Sequence, residues 1–509
     1  MTEQPTTRFP TFRRLAVTVP KFFLRLPGRL WRLFRRVFLS RKSVVVYAVL
    51  GTGIGLFYAG CSWHYRRAWE KEKKRIIASG SSLDISRLLP PMPREEDNFF
   101  ATPVMKEFYS TPEDAPTRLT LWFLPKKRTT TVIGKNGKLY EKPIPQPNVS
   151  SLTDYCEWLR QYGNLPKPAP ASPSSPGREL LEDHRHDDIF QELEAAAKRP
   201  ESRVPKHHED PLVFGGMPFK IGPIRRMVDS LGLRARALVA AGQAGKAVET
   251  LRVTGKIGDG YANSGTLIGV LISPGYRRTD EVLMEGMRGH LWTDEALTEL
   301  LRMDPRTLYH KAWAKASETE RAFRCNSHEN YATAIIGQSG LGLGAAQRLY
   351  LRIYPDGLWI RDCILNSRYS EAWGSLTGPL RAGESWASRA DQLRAFPDPG
   401  LAVLNPFNNQ KEFNNMLQWV GPCFMRLEIT RTAILLERHW LKHRRYPAIL
   451  AELDPAPPES IPLAMDGRPL RYRTNADGST FRVWSPPDSK SASSDPGHVG
   501  KDDHFFANE

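Results

Sequence analysis

One apolar run without a charged residue, Val44 to Trp63, lies between two segments rich in arginine and lysine. Its twenty residues would form a helix about 30 Å long at about 1.5 Å per residue, which matches the hydrocarbon core of a bilayer. No other stretch of the sequence is long and apolar enough to span a membrane. The sequence therefore predicts a single-pass membrane protein with a basic N-terminal arm (1–43), a membrane helix (44–63) and a large domain after it.

Most of the net charge of +17 lies beside this run. The first 75 residues contain 17 lysines and arginines and 3 acidic residues, whereas the remaining 434 residues carry a net charge of only +3. A nucleic-acid-binding domain would carry its excess of positive charge on a face of the folded domain. The distribution argues against a nucleic-acid partner and places the basic segments at the lipid bilayer.

The basic residues also predict an orientation. Eleven lysines and arginines precede the run, between Arg8 and Lys42, and six follow it together with Glu70 and Glu72. Segments rich in lysine and arginine stay in the cytoplasm during insertion. The N-terminus is therefore predicted to be cytoplasmic and residues 64–509 extracytoplasmic.

The N-terminal signal allows several interpretations. Residues 28–39 suit an amphipathic helix on an anionic leaflet, and equally a charged stop signal without helical order. Residues 35–39 resemble the core of a twin-arginine export signal, and residues 59–61 (Ala-Gly-Cys) resemble the end of a lipoprotein signal. The sequence does not decide whether the signal is cleaved or acylated.

Two glycines in the apolar run bear on self-association of the protein. Gly51 and Gly55 form a GxxxG pair that allows two membrane helices to approach closely, which predicts a homodimer, although glycine is common in membrane helices in general.

The chain contains five cysteines, and Cys61 lies at the predicted membrane surface. The other four cysteines allow three disulfide pairings or four buried thiols, and the sequence does not choose among them; these are Cys156, Cys325, Cys363 and Cys423.

The part of the chain after the membrane helix is predicted to be mainly α-helical. Residues 64–177 form an extended or mixed segment that includes a charged helix, and its proline-rich end (164–177) is a stiff linker or an exposed loop. Residues 178–422 form the helical domain. Within it, the pattern over 231–253 predicts two short helices that meet through alanines and break at Ala241-Gly242, which is an αα-hairpin. Further helices are predicted at 187–198, 263–272, 279–289, 294–301 and 306–323.

The C-terminal region combines a helix with β-structure. A long helix is predicted at 423–443. The pattern over residues 470–484 predicts a β-hairpin around the turn residues 475–478 (Asn-Ala-Asp-Gly). Together they form a segment at 423–485. Residues 486–509 are polar and are predicted to be disordered.

The densest group of potential metal ligands precedes the αα-hairpin. Imidazole and carboxylate groups suit zinc or a similar ion, and the weak candidates are His184, His186, Asp187, His207 and His208. Their polar surroundings are equally typical of a solvated surface. We therefore predict neither a bound metal nor another cofactor.

No catalytic residue can be named from the other motifs. His439 and His443 share a helix face but lack the glutamate that a zinc hydrolase places next to its first histidine. The glycine-rich stretch 337–344 lacks the Lys-Ser/Thr of a phosphate-binding loop, and Ser339 within it is not in the GxSxG context of a nucleophile elbow.

Several stretches resemble a family of uncharacterised, single-span bacterial proteins with a mostly helical outer domain. This resemblance implies the architecture and a location in the inner membrane of a bacterium, but no activity. The matching stretches are the membrane span, residues 88–103, 192–205, the helical block after 229, 426–453 and 466–473.

The C-terminal stretch also resembles the end of a type II secretion pseudopilin, with His443, a Tyr446-Pro447 turn and the strand from Asp466 to Tyr472. Arg444 stands where glycine is usual, which costs up to about 1 kcal/mol if the position needs a positive φ. In a pseudopilin this module directly follows the membrane helix, whereas here more than 350 residues separate the two. The resemblance therefore implies a structural module used in another setting.

Three functions are compatible with these features. The first is a non-enzymatic, membrane-anchored protein with an interaction or scaffolding role toward a protein partner in the cell envelope. The second is a metal-dependent envelope hydrolase that uses the histidine-rich region (184–210). The third is a secretion-machinery component related to pseudopilins.

Overall fold

The computed structural model of this chain is mainly helical. It divides into two compact units, one formed by residues 1–72 and 332–362 and the other, here called the helical unit, by residues 73–331 and 363–509. The residues that it describes are 40–89, 91–110, 129–133, 139–143, 152–162, 176–181, 187–205, 221–337, 356–381, 383–396, 410–453, 461–486 and 504–508.

The predicted membrane helix is present as part of a longer element. Helix α1 (Arg41–Ala78) has 38 residues, and its apolar part is long and apolar enough to cross a membrane. The apolar side chains are exposed on every side of the helix, as Val45, Leu50 and Leu56 illustrate at 61%, 56% and 69% exposure. The predicted charged helix after the apolar run is the continuation of the same helix.

Short elements follow α1. These are α2 (Ile85–Leu88), a 3₁₀ turn (Phe99–Ala101), α3 (Pro103–Ser110), the antiparallel strands β1 (Thr129–Ile133) and β2 (Leu139–Pro143), α4 (Leu152–Tyr162), α5 (Pro176–Leu181) and α6 (Asp187–Ala196). The predicted helix at 187–198 is confirmed by α6. Pro176 and Gly177, at the end of the proline-rich stretch, form the first turn of α5, which packs on α7.

The αα-hairpin is the centre of the helical unit. Helices α7 (Ile221–Ala240) and α8 (Ala244–Ala262) pack along their length, and the break lies at Gly242, which has a φ of 75°. Buried alanines at the contact, Ala235 and Ala247, allow the two backbones to approach closely. The predicted hairpin is confirmed, and both helices extend about ten residues beyond the predicted pattern.

The remaining helices bury their apolar faces in one large core. They are α9 (Leu267–Ile272), a 3₁₀ turn (Ser273–Tyr276), α10 (Thr279–Met287), α11 (Asp294–Arg302), α12 (Arg306–Gly337), α13 (Asp356–Leu376), α14 (Trp386–Arg394) and α15 (Gln410–His443). Threonine and serine side chains cap three of them: Thr266, Thr293 and Ser385 accept hydrogen bonds from backbone N–H groups of the first turn. The core includes Trp313 and Trp373, whose rings lie 5.2 Å apart.

The C-terminal strands confirm the predicted β-hairpin. Strand β3 (Arg471–Thr474) pairs antiparallel with β4 (Phe481–Ser485), and the turn between them contains Gly478 at a φ of 68°. A third strand, β5 (His504–Asn508), pairs with the other edge of β4. Over residues 504–508 this differs from the disorder predicted for 486–509, because the free edge of β4 offers backbone groups with which even a short segment can form hydrogen bonds.

The close packing of α8 yields a testable prediction about Gly260. A Cβ atom at this position would lie 2.1 Å from Cε2 of the buried Phe100. We expect Gly260→Ala to lower the free energy of unfolding by about 1–3 kcal/mol, as measured by urea denaturation in mild detergent. The control is Gly245→Ala in the same helix, where a Cβ meets nothing within 4 Å and a gain of up to about 1 kcal/mol is expected. Equal effects of the two substitutions would contradict this packing.

Candidate functional site

The candidate metal ligands lie largely outside the described residues. This holds for His184, His186, His207 and His208, while Asp187 is the first residue of α6. Within the described ranges, no group of three or more histidine, cysteine, aspartate or glutamate side chains is arranged to hold a metal ion. The metal-dependent hydrolase that would use residues 184–210 therefore remains a hypothesis.

The predicted helix face with two histidines contains an aromatic contact. The rings of His439 and His443 lie 4.3 Å apart, and Nδ1 of His439 is 3.0 Å from the backbone oxygen of Arg445. Burial lowers the pKa of His439, so the ring is neutral at pH 7 and its Nδ1–H donates to that carbonyl. The hydrogen bond explains the orientation of this histidine without a metal.

All five cysteines lie among the described residues and none forms a disulfide, but two of them are neighbours. Sγ of Cys325 lies 3.9 Å from the backbone oxygen of Cys363, and Sγ of Cys363 lies 4.0 Å from that of Cys325. The structure thus brings together one of the pairs that the sequence left open. In the apolar part of α1, a Cβ added at Gly51 or Gly55 would meet nothing within 4 Å, so this predicted association face is open.

A cavity of about 370 Å³ in the helical unit is the best candidate for a binding site, since small-molecule sites span roughly 300–1,000 Å³. We call it the apolar cavity. Helices α12 and α15 form its walls, together with residues 379–386, 450–453 and 462–463. Apolar side chains predominate among its lining residues, which are Arg306, His310, Pro379, Leu380, Trp386, Phe424, Met425, Glu428, Arg431, Thr432, Leu435, Leu450, Leu453, Pro462 and Leu463.

A charged network lies at one side of the apolar cavity. Nη1 of Arg306 donates to both carboxylate oxygens of Glu428 at 3.0 and 2.8 Å, and Nε of Arg306 donates to Asp304 at 2.8 Å. Burial raises the pKa of Glu428, and Arg306 opposes this effect. The positive charge of Arg306 is thus largely neutralised by the carboxylates of Glu428 and Asp304.

Arg431 is the polar group most available to a ligand. Its nearest described carboxylate is that of Asp304, at 3.7 Å, and no described residue forms a hydrogen bond with its guanidinium. Burial lowers the pKa of Arg431, and the neighbouring Arg306 lowers it further. An anionic group in the cavity would relieve both effects.

His310 provides an aromatic wall and a second polar group. Its ring stacks on Phe424 at 4.2 Å, and Phe424 stacks on Trp386 at 6.0 Å. Burial lowers the pKa of His310, so at pH 7 its Nδ1–H donates to the Thr377 carbonyl at 3.2 Å and leaves Nε2 as an acceptor. Neither serine nor cysteine lines the cavity among the described residues, and the Thr432 hydroxyl donates to the Glu428 carbonyl at 2.8 Å. The arrangement suits binding better than nucleophilic catalysis.

A second titratable cluster lies at the C-terminal end of α15. The carboxyl group of Glu437 is fully buried, accepts a hydrogen bond from the Tyr446 hydroxyl at 2.9 Å and lies 3.1 Å from Nδ1 of His290. The His290 ring stacks on Trp440 at 3.3 Å. Burial raises the pKa of Glu437 to about 7, and burial together with Arg444 lowers the pKa of His290. Both shifts favour the uncharged forms of the two side chains, with one proton in the hydrogen bond between the Glu437 carboxyl and Nδ1 of His290.

Comparison with known proteins adds no relative: no protein family model, no curated protein and no solved structure matches this chain.

Sequence reasoning missed the groups that line the apolar cavity. His310, Glu428 and Arg431 lie in helices whose existence was predicted, but nothing in their local spacing separates them from surface residues. Only the packing of α12 against α15 brings them together. A useful signal would have been the charged residues within the apolar pattern of α15.

The buried Glu437 predicts a pH dependence of stability. Its folded pKa of about 7 lies above the ordinary 4.5, so the folded protein holds a proton that the unfolded chain has lost between these values. The contribution of Glu437 to the free energy of unfolding is therefore greatest below pH 4.5 and falls, by up to about 3 kcal/mol, as the pH rises to 7. We expect Glu437→Gln to remove this slope in urea unfolding at pH 5, 6 and 7.5. Glu295→Gln, at an exposed position of α11, should retain it.

Proposed function

We propose that this chain is a membrane-anchored, non-enzymatic binding protein of the bacterial envelope. The observation that carries the proposal is the exposure of the apolar residues of α1 on every side of the helix. A bare apolar surface of this length is unstable in water and stable in lipid. The helical unit then acts as the part that meets a partner.

The orientation is part of the same proposal. The basic residues before the apolar run outnumber those after it, which supports a cytoplasmic N-terminus and an extracytoplasmic helical unit in the inner membrane. Arg75 and Ile76, near the end of α1, belong to the helical unit: Arg75 donates to Glu371 at 3.1 Å and Ile76 is fully buried. These contacts show that the last residues of α1 are part of the fold of the helical unit.

The apolar cavity supports a binding role for the helical unit. Its aromatic and aliphatic walls would hold an apolar side chain or ligand, and Arg431 would pair with a negative charge on it. We propose that the partner is a protein that inserts an apolar residue flanked by a carboxylate. Buried apolar anchors next to a cation are typical of the energetically dominant centre of an interface.

A second candidate function is a secretion-machinery component related to pseudopilins. The conformation of Arg444 favours it: its φ of 55° is positive, at the position where the resembling proteins usually have glycine. This candidate predicts co-fractionation with a secretion complex. A partner outside any secretion complex would count against it.

The membrane helix offers a test of anchoring and self-association. We expect the full-length protein to stay in the membrane fraction after alkaline carbonate extraction, and a lipid-soluble crosslinker to yield a dimer. Gly51→Ile with Gly55→Ile should abolish the dimer but not membrane retention, because the bulky side chains separate the helices. Gly53→Ile with Gly60→Ile, on the opposite face of the same helix, is the matched control. Release of the wild-type protein by carbonate would overturn the proposed function.

The cavity can be tested by crosslinking in intact cells, followed by affinity isolation and mass spectrometry. We expect one stoichiometric envelope partner with the wild-type chain. Arg431→Met and Leu463→Trp should each reduce its recovery at least tenfold, because the first removes the available cation and the second fills the cavity. Arg438→Met, in the same helix but paired with Asp294 outside the cavity, should leave recovery unchanged. Unchanged recovery with both cavity variants would exclude this binding site.

A further inference from the structure

A second cavity of the helical unit, of about 250 Å³, has an entirely different lining. We call it the basic cavity. It lies between the turn after α6, one face of α8, the residue that follows the second 3₁₀ turn and the end of α11. Its lining residues are Ala197, Lys198, Arg199, Pro200, Arg252, Gly255, Lys256, Asp259, Arg277 and Met303.

The helical repeat of α8 builds one wall of the basic cavity. Arg252, Lys256 and Asp259 follow one another at spacings of four and three residues and therefore share a helix face. Gly255 lies between them and has no side chain of its own; a Cβ there would come into ordinary van der Waals contact with Nη1 of Arg277, at 3.7 Å. The wall is thus charged and recessed at once.

Positive charge dominates the basic cavity. Five of its lining side chains are cationic and only one, Asp259, is anionic. Asp259 is paired with the buried Arg277, and Arg252 is paired with Glu299 at 3.1 Å. Even when three further carboxylates are included, one positive charge remains in excess; these are Glu299, the more distant partner of Arg252 (Glu249 at 3.5 Å), and Glu201, whose charge acts on Lys256. A concave wall of low polarisability concentrates the field of such an excess.

The ammonium groups of two lysines at this cavity have N–H donors that form no hydrogen bond with a described residue. Nζ of Lys256 donates to the backbone oxygen of Pro200 at 2.8 Å, which leaves two of its three hydrogens for another acceptor. Burial lowers the pKa of Lys256, so a nearby anion would stabilise its charged form. Lys198 lies exposed at the rim, and no described residue pairs with its ammonium group.

We infer that the basic cavity binds a small phosphate-class oxyanion, held by Lys256 within the cavity and Lys198 at its rim. Its volume is below the roughly 300–1,000 Å³ of sites that enclose a whole small molecule. It therefore suits a phosphate or pyrophosphate group rather than a complete cofactor. Ammonium groups bind phosphate oxygens through short, charge-assisted hydrogen bonds. This inference is independent of the partner proposed for the apolar cavity.

The test is isothermal titration of the full-length protein in neutral detergent with pyrophosphate at constant ionic strength. We expect saturable binding with one site per chain, and a Kd at least about tenfold higher for Lys256→Met and for Lys198→Glu. Lys246→Met, at an exposed position of α8 outside the cavity, should change the Kd less than twofold. Because Lys198 is exposed, its substitution tests the site even if Lys256→Met fails to fold.

A parallel titration distinguishes a soluble phosphate ester from a lipid head group. Similar Kd values for glycerol 3-phosphate and a short-chain phosphatidic acid would assign the cavity to soluble esters, and at least tenfold tighter binding of the phosphatidic acid would assign it to lipid head groups. Both results support an oxyanion site. Absence of saturable pyrophosphate binding, or a Kd unchanged in Lys198→Glu and Lys256→Met alike, would overturn it.

Discussion

The burial of α15 in the main core is the interaction on which most of the helical unit depends. Phe424, Ile434 and Leu436 of this helix are all nearly or fully buried, and α15 packs against α10, α11, α14 and the C-terminal strands. The same burial places polar groups of α15 inside the protein. Glu428 and Arg431 line the apolar cavity, and Glu437 forms hydrogen bonds with Tyr446 and His290. Each buried polar group is costly without a partner, so this helix determines where partners must be placed.

The αα-hairpin imposes a second constraint. Alanines at the contact of α7 and α8 allow a short distance between the helices, and this leaves the outer face of α8 to the basic side chains. Two cavities of opposite character thus arise in one unit. Side chains of α12 and α15 line the apolar cavity, whereas charged side chains of α8 and of the turn after α6 line the basic cavity.

Much of the secondary structure could be predicted from local pattern. The apolar run of α1, the alanine-rich hairpin with its break at Gly242, and the β-turn before β4 all depend on contacts between residues close in sequence. The predictions were weaker where distant residues decide. Helix α15 begins thirteen residues before the predicted position, and β5 forms because the edge of β4 is available to it.

The sequence by itself determined a helix long and apolar enough to span a membrane, the mainly helical character and the C-terminal hairpin, because hydrophobic period and turn chemistry are local properties. Only the tertiary structure decided which titratable groups meet. His290 and Glu437 are 147 positions apart, and Arg306 and Glu428 are 122 positions apart. Contacts over such distances follow from how the helices pack as a whole, and burial, which raises the pKa of Glu437 and lowers that of His310, exists only after that packing is complete.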